Sequence, residues 1–380
     1  MKYFIIAGEA SGDLHGSNLM AALKQHDAAA QFCFLGGDLM AAQGGRQVKH
    51  YRDMAFMGIT AVVRHLPTVL RNMRDTRRAI AQFRPDVVIL IDYPSFNLQI
   101  AKYVKTHFDT PVYYYISPKL WAWKTYRIKS IKKYIDKMFT IFPFETSFYA
   151  QFDYAVEYVG NPTVDAIAAY RARPHAGDFR SAHHLDARPI VAVLAGSRRQ
   201  EIVTTLPTVM PLAKQFPDFQ FVLAAAPSAD SALYQPYMSD NVKIVYNCTY
   251  DLLAHAYAAI VNSGTATLET GLFGVPQVVV YYVPGGRIGT WLKQVLIKTK
   301  FVSLVNLVAE KEVVCELVAH RFTTRNVGAE LTRLLTDGDY HRAMQADYAT
   351  LAQRLGDAGA ADRTAQKIVK LLTNNNTCNV

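Results

Sequence analysis

The chain has 380 residues, of which 51% are apolar, so it is too long for one ordinary hydrophobic core and its composition predicts two domains. Lysine and arginine number 41 against 31 aspartates and glutamates, which points to an anionic partner: nucleic acid, a membrane surface or a phosphorylated substrate. The four cysteines show neither disulfide-like density nor C-x-x-C spacing, which excludes a disulfide scaffold and the usual zinc and redox motifs.

Short β-rich runs alternate with helix-like segments from the first residues onward. Residues 3–7 predict a first strand, and this apolar run is too short for a signal peptide. A glycine-bearing turn with Glu9, Ser11 and His15 then leads into a helix. Further strands are predicted near residues 32–35, 87–92, 112–116, 138–142 and 157–159. This rhythm predicts βαβ units and a parallel sheet covered on both faces.

The strand predicted over residues 87–92 ends in a carboxylate. Asp92 follows a strongly apolar run and precedes Pro94, so it is expected at the sheet edge where ligands of such folds bind. Partial burial there would raise the pKa of Asp92, as a general base requires, although a turn-forming aspartate before proline fits the same pattern. The turn that contains Glu9 is expected at the same edge.

The apolar pattern thins after residue 161 and restarts at residue 190, which predicts a second half of the same kind. Strands are predicted there near residues 190–194, 221–225, 242–245, 259–261 and 278–282. The predicted divisions are an N-terminal domain over residues 1–165, a linker over 166–189 and a C-terminal domain over 190–345. Residues 346–380 are predicted to form C-terminal helices that pack on the first domain or on a partner subunit.

Two strands of the second half are followed by small-residue turns that open helices. One turn contains Ser197 and Arg198, and the other contains Ser263, Gly264 and Thr265, whose hydroxyl residues are predicted N-caps. Because helix N-termini attract anions and arginine binds phosphate bidentately, the two turns together favour a nucleotide diphosphate. Glu269 lies one helical turn beyond and could accept hydrogen bonds from a ribose diol. A solvated glutamate and a surface arginine are the plain alternatives.

Neither turn is a Walker or a G-x-G-x-x-G motif, which weakens the kinase and dehydrogenase interpretations. The one D-x-D motif, Asp337 to Asp339, lies between predicted helices, where a turn-forming role is favoured over Mn²⁺ or Mg²⁺ ligation. No metal and no cofactor are therefore expected. Helix dipoles and Arg198 would have to stabilise a leaving diphosphate.

Eight segments, each weak alone, together resemble lipid-A-disaccharide synthase and follow that family's order. They are AGEASGDLHG at 7–16, IDYPSFN at 91–97, YYISPKLWAWK at 114–124, FPFE at 142–145, VGNP at 159–162, AGSRRQE at 195–201, NSGTATLE at 262–269 and FVSLVNLVAEKEVVCEL at 301–317. Two positions depart from the family pattern: Ala195 stands where proline is usual, and Asn161 stands where many members carry histidine.

The resemblance implies an α/β fold with two Rossmann-like domains facing a cleft, the GT-B type, and an inverting glycosyltransferase of lipid A biosynthesis. Its donor would be UDP-2,3-diacylglucosamine and its acceptor 2,3-diacylglucosamine 1-phosphate, joined β(1→6) with release of UDP. Asp92 matches the family's proposed catalytic aspartate, and His15 is a second catalytic candidate, although a histidine near a helix start is more often a cap or surface residue. The residues predicted to bind substrate are Glu9, Ser11, Asn97, Ser197, Arg198, Ser263, Gly264, Thr265, Glu269 and Asn306.

Acylated substrates also give the basic charge a meaning. A predicted helix carries an apolar stripe beside five arginines, the layout of a helix in an anionic lipid interface, although a helix packed on a core has the same pattern. The stripe consists of Val62, Val63, Leu66, Val69, Leu70 and Met73, and the arginines are Arg64, Arg71, Arg74, Arg77 and Arg78. A second basic tract, residues 119–137, includes Trp121 and Trp123 as core residues or interfacial anchors.

No stretch approaches the roughly 18 to 20 apolar residues of a membrane span. The chain is therefore expected to be cytosolic or peripheral, and the resemblance implies the cytoplasm, peripheral on the inner face of the inner membrane, with no nucleic-acid partner and with a homodimer left open. Two rival functions stay open. One is a non-catalytic peripheral module that binds a nucleotide or an anionic lipid and has no use for Asp92. The other is a UDP-sugar glycosyltransferase or epimerase with soluble substrates, which would not need the apolar stripe.

Overall fold

Apolar runs of about five residues recur along the chain, and in the computed structural model they form the strands of two all-parallel sheets. The structure describes residues 1–54, 66–121, 125–174, 177–226, 229–283 and 300–377. The chain divides into two units, one formed by Met1–Pro162 with Ala358–Val380 and the other by Thr163–Asp357. The α/β class predicted from the sequence is confirmed.

The first unit has seven strands. They are β1 (Lys2–Ala7), β2 (Gln31–Gly36), β3 (Arg46–His50), β4 (Val87–Ile91), β5 (Val112–Tyr115), β6 (Lys137–Thr140) and β7 (Glu157–Tyr158). Its first helices are α1 (Ala10–His26), α2 (Asp38–Ala42), α3 (Leu66–Phe83), α4 (Pro94–His107), α5 (Ile128–Tyr134) and α6 (Phe144–Ala150). The strand order is β3-β2-β1-β4-β5-β6-β7.

Alternate residues of the central strands face two separate cores. On β1, Phe4 and Ile6 join the core under α3, α4 and α5, whereas Tyr3 and Ile5 join the core under α1. The C-terminal helix (Ala360–Thr377) closes this second core through residues such as Ile368. It is therefore part of the first unit, although some 200 residues of the second unit precede it in the chain.

The second unit has six strands. They are β8 (Ile190–Leu194), β9 (Gln220–Ala225), β10 (Val242–Tyr246), β11 (Ala256–Asn262), β12 (Gln277–Tyr281) and β13 (Glu316–Val318). Its helices are α7 (Pro162–Arg171), α8 (Phe179–Ala182), α9 (Arg199–Val209), α10 (Thr249–His255), α11 (Thr265–Leu272), α12 (Leu304–Ala309), α13 (Thr324–Thr336) and α14 (Gly338–Leu355). The strand order is β10-β9-β8-β11-β12-β13.

Both sheets have the Rossmann order, with the first strand beside the fourth. The chain reverses direction across the sheet at β1 and β4 in the first unit, and at β8 and β11 in the second. In open parallel sheets, ligands bind outside the carboxyl ends of the strands at such a switch point. Each unit therefore has one topologically favoured place for a ligand.

The segment predicted as a linker, residues 166–189, belongs to the second unit and contains α8 and most of α7. The Tyr170 hydroxyl donates a hydrogen bond of 2.8 Å to Asp251, and the Arg171 guanidinium donates one of 3.0 Å to the Leu272 carbonyl. These contacts attach the segment to α10 and α11. Likewise, the region predicted as C-terminal helices is divided, with α14 in the second unit and the last helix in the first.

Helix α3 carries part of the predicted apolar stripe. Leu66 and Leu70 are 48% and 61% exposed, but Met73 is 6% exposed and packs in the core, so its place in the stripe was wrong. Arg77 also turns inward, over the Tyr103 ring at 5.0 Å. Residues 62–64 of the prediction lie outside the described residues. Across the part of the chain that the structure describes, no helix combines the length and apolar character that a membrane crossing requires.

Candidate functional site

The first switch point is built around a sharp corner after β4. Asp92 and Tyr93 both have left-handed backbone conformations, with φ of +42° and +46°, so the predicted strand ends one residue earlier than expected. Burial raises the pKa of the half-buried Asp92 carboxyl above its usual range, against the opposing effects of the Lys119 ammonium and the Tyr93 amide. A partly desolvated carboxylate at the carboxyl edge of the sheet is suited to accept a proton.

The turn after β1 packs against this corner. The Tyr93 ring lies so close to Gly8 that a Cβ atom there would come within 2.3 Å of it. Glu9 follows directly and is near enough to raise the pKa of Tyr93, after the larger effect of burial. Ser11 and His15 lie on α1, the first exposed and the second half-buried. The β1 turn, with Glu9, thus lies at the same sheet edge as Asp92, as the sequence predicted.

Asn97 is fully buried in the first turn of α4. Its Nδ2 atom donates hydrogen bonds to the carbonyls of Ile91 at 3.2 Å and Asp92 at 2.7 Å. The side chain therefore fixes the corner that carries the carboxylate. The Nδ2 group is used in this way, whereas Oδ1 has no hydrogen-bond partner among the described residues, so a contact of Asn97 with substrate stays a prediction.

A buried carboxyl group for which no role was predicted from the sequence lies at the start of α6. Glu145, in the FPFE segment, accepts hydrogen bonds from the Ser117 hydroxyl at 2.7 Å and from the amides of Ile141 and Phe142 at 3.2 and 3.1 Å. Burial outweighs these donors and raises the pKa of Glu145 to about 7. The bond to Ser117 secures the loop after β5 that carries Lys119.

The sequence also left open the roles of Trp121, Trp123 and Asn161. Trp121 is half-buried and packs edge-on against the half-buried Phe144, with ring centroids 5.2 Å apart, so the choice between a core residue and an interfacial anchor stays a prediction. Trp123 lies outside the described residues. Asn161, one of the two family departures, is buried and donates a hydrogen bond of 2.9 Å to the Ile141 carbonyl.

In the second unit, the turn after β8 holds Ser197 and Arg198 at the surface. Their backbone amides do not face solvent freely, because the Glu201 carboxylate accepts from both, at 2.9 and 3.1 Å. Gly196 allows this close approach with φ of +110°, and a Cβ there would come within 2.6 Å of Glu201. An anion at this turn would therefore be met by the Arg198 side chain, which is 67% exposed and 3.7 Å from Glu201.

The neighbouring turn after β11 opens α11 with Gly264 as its N-cap. The prediction that Ser263 and Thr265 cap this helix was wrong: no side chain caps it, and the Ser263 hydroxyl donates to the Val302 carbonyl at 3.1 Å. Gly264 and Thr265 are exposed. An uncapped, exposed helix start still presents first-turn amides that lack helical acceptors and attract an anion.

Glu269 lies one turn further along α11. Its Oε1 atom accepts a hydrogen bond of 2.8 Å from the Tyr250 hydroxyl, and burial raises the pKa of its carboxyl, an effect that this hydrogen bond opposes. The Tyr250 ring contacts the Tyr170 ring edge-on and the Phe273 ring at a tilt, with centroid distances of 5.5 and 5.3 Å. Within the described residues, the second oxygen, Oε2, accepts no hydrogen bond, which leaves it suited to a ribose hydroxyl.

Asn306 was predicted to face substrate, but it is fully buried at the start of α12. Its Oδ1 atom accepts from the amides of Val313 and Val314, at 2.8 and 2.9 Å. Its Nδ2 atom donates to the Val314 carbonyl and to Glu316, both at 2.9 Å. Because the whole amide is used within the protein, Asn306 joins α12 to β13, a positioning role rather than a binding one.

Among the described residues, no group of three or more His, Cys, Asp or Glu side chains could hold a metal ion. The D-x-D motif has a structural role, since Asp337 caps α14 by accepting from the amides of Asp339 and Tyr340 at 3.1 and 3.0 Å. Asp339 pairs with Arg342 at 2.6 Å.

Comparison with known proteins adds a family and a fold. The family model for lipid-A-disaccharide synthetase matches residues 3–369. The chain is 36% identical to the lipid-A-disaccharide synthase of Myxococcus xanthus, over 98% of this chain and 97% of the relative. It is 34% identical to that of Coxiella burnetii, over 97% of this chain and 98% of the relative.

Among solved structures, the chain resembles the UDP-GlcNAc 2-epimerase of Neisseria meningitidis bound to UDP-GlcNAc, with a TM-score of 0.62, 13% identity, and coverage of 98% of this chain and 100% of that one. It also resembles a kitacinnamycin glycotransferase, with a TM-score of 0.61, 14% identity, and coverage of 98% and 99%. Such distant likeness establishes the fold alone. The prediction of two Rossmann-like units of the GT-B type is confirmed.

Proposed function

Since the chain belongs to the lipid-A-disaccharide synthase family, a family of glycosyltransferases in lipid A biosynthesis, we propose that it joins UDP-2,3-diacylglucosamine to 2,3-diacylglucosamine 1-phosphate. The new bond is β(1→6), and UDP leaves. One observation carries the proposal: each unit places its candidate residues at its own topological switch point, Asp92 at the first and Arg198 with Glu269 at the second.

On the acceptor side, the Asp92 carboxylate takes the proton of the acceptor's 6-hydroxyl as that oxygen attacks the anomeric carbon of the donor. The bond from the anomeric carbon to the diphosphate breaks, and its electron pair leaves with UDP. Attack opposite the leaving group inverts the anomeric configuration. The raised pKa of Asp92 supports this role because a stronger base accepts the proton more readily.

On the donor side, the leaving diphosphate gains negative charge in the transition state. The Arg198 guanidinium and the first-turn amides of α11 stabilise that charge, and the Glu269 carboxylate holds the ribose. No metal ion is required in this account, because the Arg198 guanidinium and the helix-start amides of α11 supply the compensating positive charge.

Product analysis tests the proposal. The protein is incubated with UDP-2,3-diacylglucosamine and 2,3-diacylglucosamine 1-phosphate, with and without EDTA, and the products are identified by mass spectrometry. The expected result is UDP and a tetraacyl disaccharide monophosphate in equal amounts, unaffected by EDTA. An epimerised UDP-sugar without a disaccharide would point instead to an epimerase. Loss of product with EDTA would show that the reaction requires a metal ion.

The acylated substrates require contact with a lipid surface, and we assign that contact to α3. Leu66 and Leu70 lie one helical turn apart and are exposed, and Arg71, Arg74 and Arg78 are exposed beside them. Leu66→Ser with Leu70→Ser should weaken binding to anionic phosphatidylglycerol vesicles about 10²- to 10³-fold, since each buried leucine contributes on the order of 2 kcal/mol. Co-sedimentation in high salt measures this.

The matched control is Leu39→Ser, which changes a leucine of the same unit that is 46% exposed. It should leave vesicle binding unchanged. Equal sedimentation of the α3 double variant and the wild type would remove α3 from the membrane contact.

Glu269→Gln should weaken UDP binding about 10-fold to 100-fold, the usual range for losing hydrogen bonds to a charged group. Calorimetry with UDP and 2′-deoxy-UDP makes the test specific. The wild type should favour UDP, and the variant should show a much smaller preference, because the neutral amide oxygen of glutamine is a weaker acceptor for the ribose hydroxyl than a carboxylate. A variant that keeps the full preference for UDP would exclude the ribose role.

A further inference from the structure

The corner that carries Asp92 is an unfavourable backbone conformation for the residues in it. Two consecutive residues with side chains, Asp92 and Tyr93, adopt positive φ values of +42° and +46°. Left-handed conformations of residues other than glycine persist only where the surroundings hold them in place. The contacts around this corner therefore decide where the carboxylate points.

Two side chains hold the carbonyl oxygen of Asp92. Asn97 Nδ2 donates to it at 2.7 Å from α4, and the Tyr114 hydroxyl donates to it from the adjacent strand β5. Tyr114 is fully buried. The next residue on β5, Tyr115, is the pairing partner of Ile91 on β4. By contrast, the backbone hydrogen bond from the Asp92 amide to the Tyr115 carbonyl is long, at 3.4 Å. At Asp92, therefore, the backbone hydrogen bonding between β4 and β5 is weak, and side-chain donors bind the Asp92 carbonyl instead.

We propose that Tyr114 is a positioning residue for glycosyl transfer, which holds the peptide of Asp92 in its left-handed conformation and so directs the carboxylate at the acceptor hydroxyl. This inference rests on the proposed function, because it needs Asp92 to be the base. The hydroxyl acts through a backbone carbonyl and touches no reacting atom, so Tyr114 affects the rate only through Asp92.

Packing alone does not require a hydroxyl at this position. A phenylalanine would fill the same apolar space, since Tyr114 lies in a core of residues such as Leu90, Ile100 and Val104. The neighbouring Tyr113 shows the contrast: it is 2% exposed on the opposite face of β5, and within the described residues its hydroxyl has no hydrogen-bond partner. The two tyrosines form a matched pair, alike in strand and burial and different in contact with Asp92.

The test compares Tyr114→Phe with Tyr113→Phe in the transfer assay, together with thermal unfolding of both variants. Tyr114→Phe should lower kcat about 10-fold to 100-fold, the cost of a misplaced catalytic group, while KM for the UDP-sugar stays within about two-fold. Tyr113→Phe should keep the wild-type kcat. In the Asp92→Asn background, Tyr114→Phe should cause no further loss, because the group it positions is already gone.

Three outcomes would overturn the inference. These are a normal kcat for Tyr114→Phe, an equal loss of kcat and thermal stability in both tyrosine variants, and a full additional loss in the Asp92→Asn background. The comparison in the Asp92→Asn background stays decisive even if Tyr114→Phe is less stable, because it is made at a temperature where both single variants, Asp92→Asn and Tyr114→Phe, are folded. A wild-type protein that forms no disaccharide would instead refute the proposed function itself.

Discussion

Asp92→Asn is expected to lower kcat by about 10²- to 10⁴-fold, the usual contribution of a general base. Asparagine is preferred to alanine for this test because Asp92 has φ of +42°, a conformation that asparagine tolerates well. The change therefore removes the base and retains the backbone corner. Turnover at the wild-type rate would show that another group takes the proton.

The same carboxylate should set the pH dependence of the reaction. A base acts when deprotonated, so kcat/KM should rise with pH through the pKa of Asp92, which burial places above the ordinary aspartate value. The Lys119 ammonium lowers this pKa, so Lys119→Met should move the acid limb of the profile to higher pH. An acid limb that Asp92→Asn leaves unchanged would assign the titration to a different group.

Arg198→Ala should reduce kcat about 10²- to 10³-fold, the range observed when one group that stabilises transition-state charge is removed. Arg198→Lys should recover only part of this loss, because an ammonium group does not form the bidentate hydrogen bonds of a guanidinium. The exposed ion pair between Arg198 and Glu201, at 3.7 Å, contributes little, so breaking it should not affect folding. Steady-state kinetics with the UDP-sugar donor measure these effects.

Arg199→Ala is the matched control, since Arg199 is the next residue, is also exposed and begins α9. It should keep most of the wild-type kcat. Equal losses in the two alanine variants would indicate that the basic charge of the turn, and not a particular contact of Arg198, supports the reaction.

Strongly apolar strands and the turns after them could be predicted from the sequence. Residues 190–194 form β8 as predicted, and the residues expected at the carboxyl edges lie after β1, β4, β8 and β11. Two edge strands were missed. β3 contains only one strongly apolar residue, Val48, and β13 has three residues, so neither carries the apolar run that marked the central strands.

Side-chain partners were harder to predict, because they depend on contacts between distant segments. Serine is a favoured N-cap residue, but the Ser263 hydroxyl donates its hydrogen bond to the carbonyl of Val302 instead. No role was predicted for Glu201, yet its carboxylate accepts hydrogen bonds from the amides of Ser197 and Arg198, in the turn expected to bind phosphate. Met73 continues the apolar stripe by spacing, but the turn of α3 directs it to the core. The spacing of apolar residues in the sequence indicates which side chains share a helical face. It does not indicate whether that face packs on the core or lies in solvent.

The most direct test measures UDP affinity and turnover side by side for the wild type, Asp92→Asn and Arg198→Ala. If the two switch points divide the work, Asp92→Asn should bind UDP within about two-fold of the wild type while its turnover collapses. Arg198→Ala should lose UDP affinity about 10-fold or more together with turnover. Equal weakening of UDP binding in both variants would contradict this division between acceptor chemistry and donor binding.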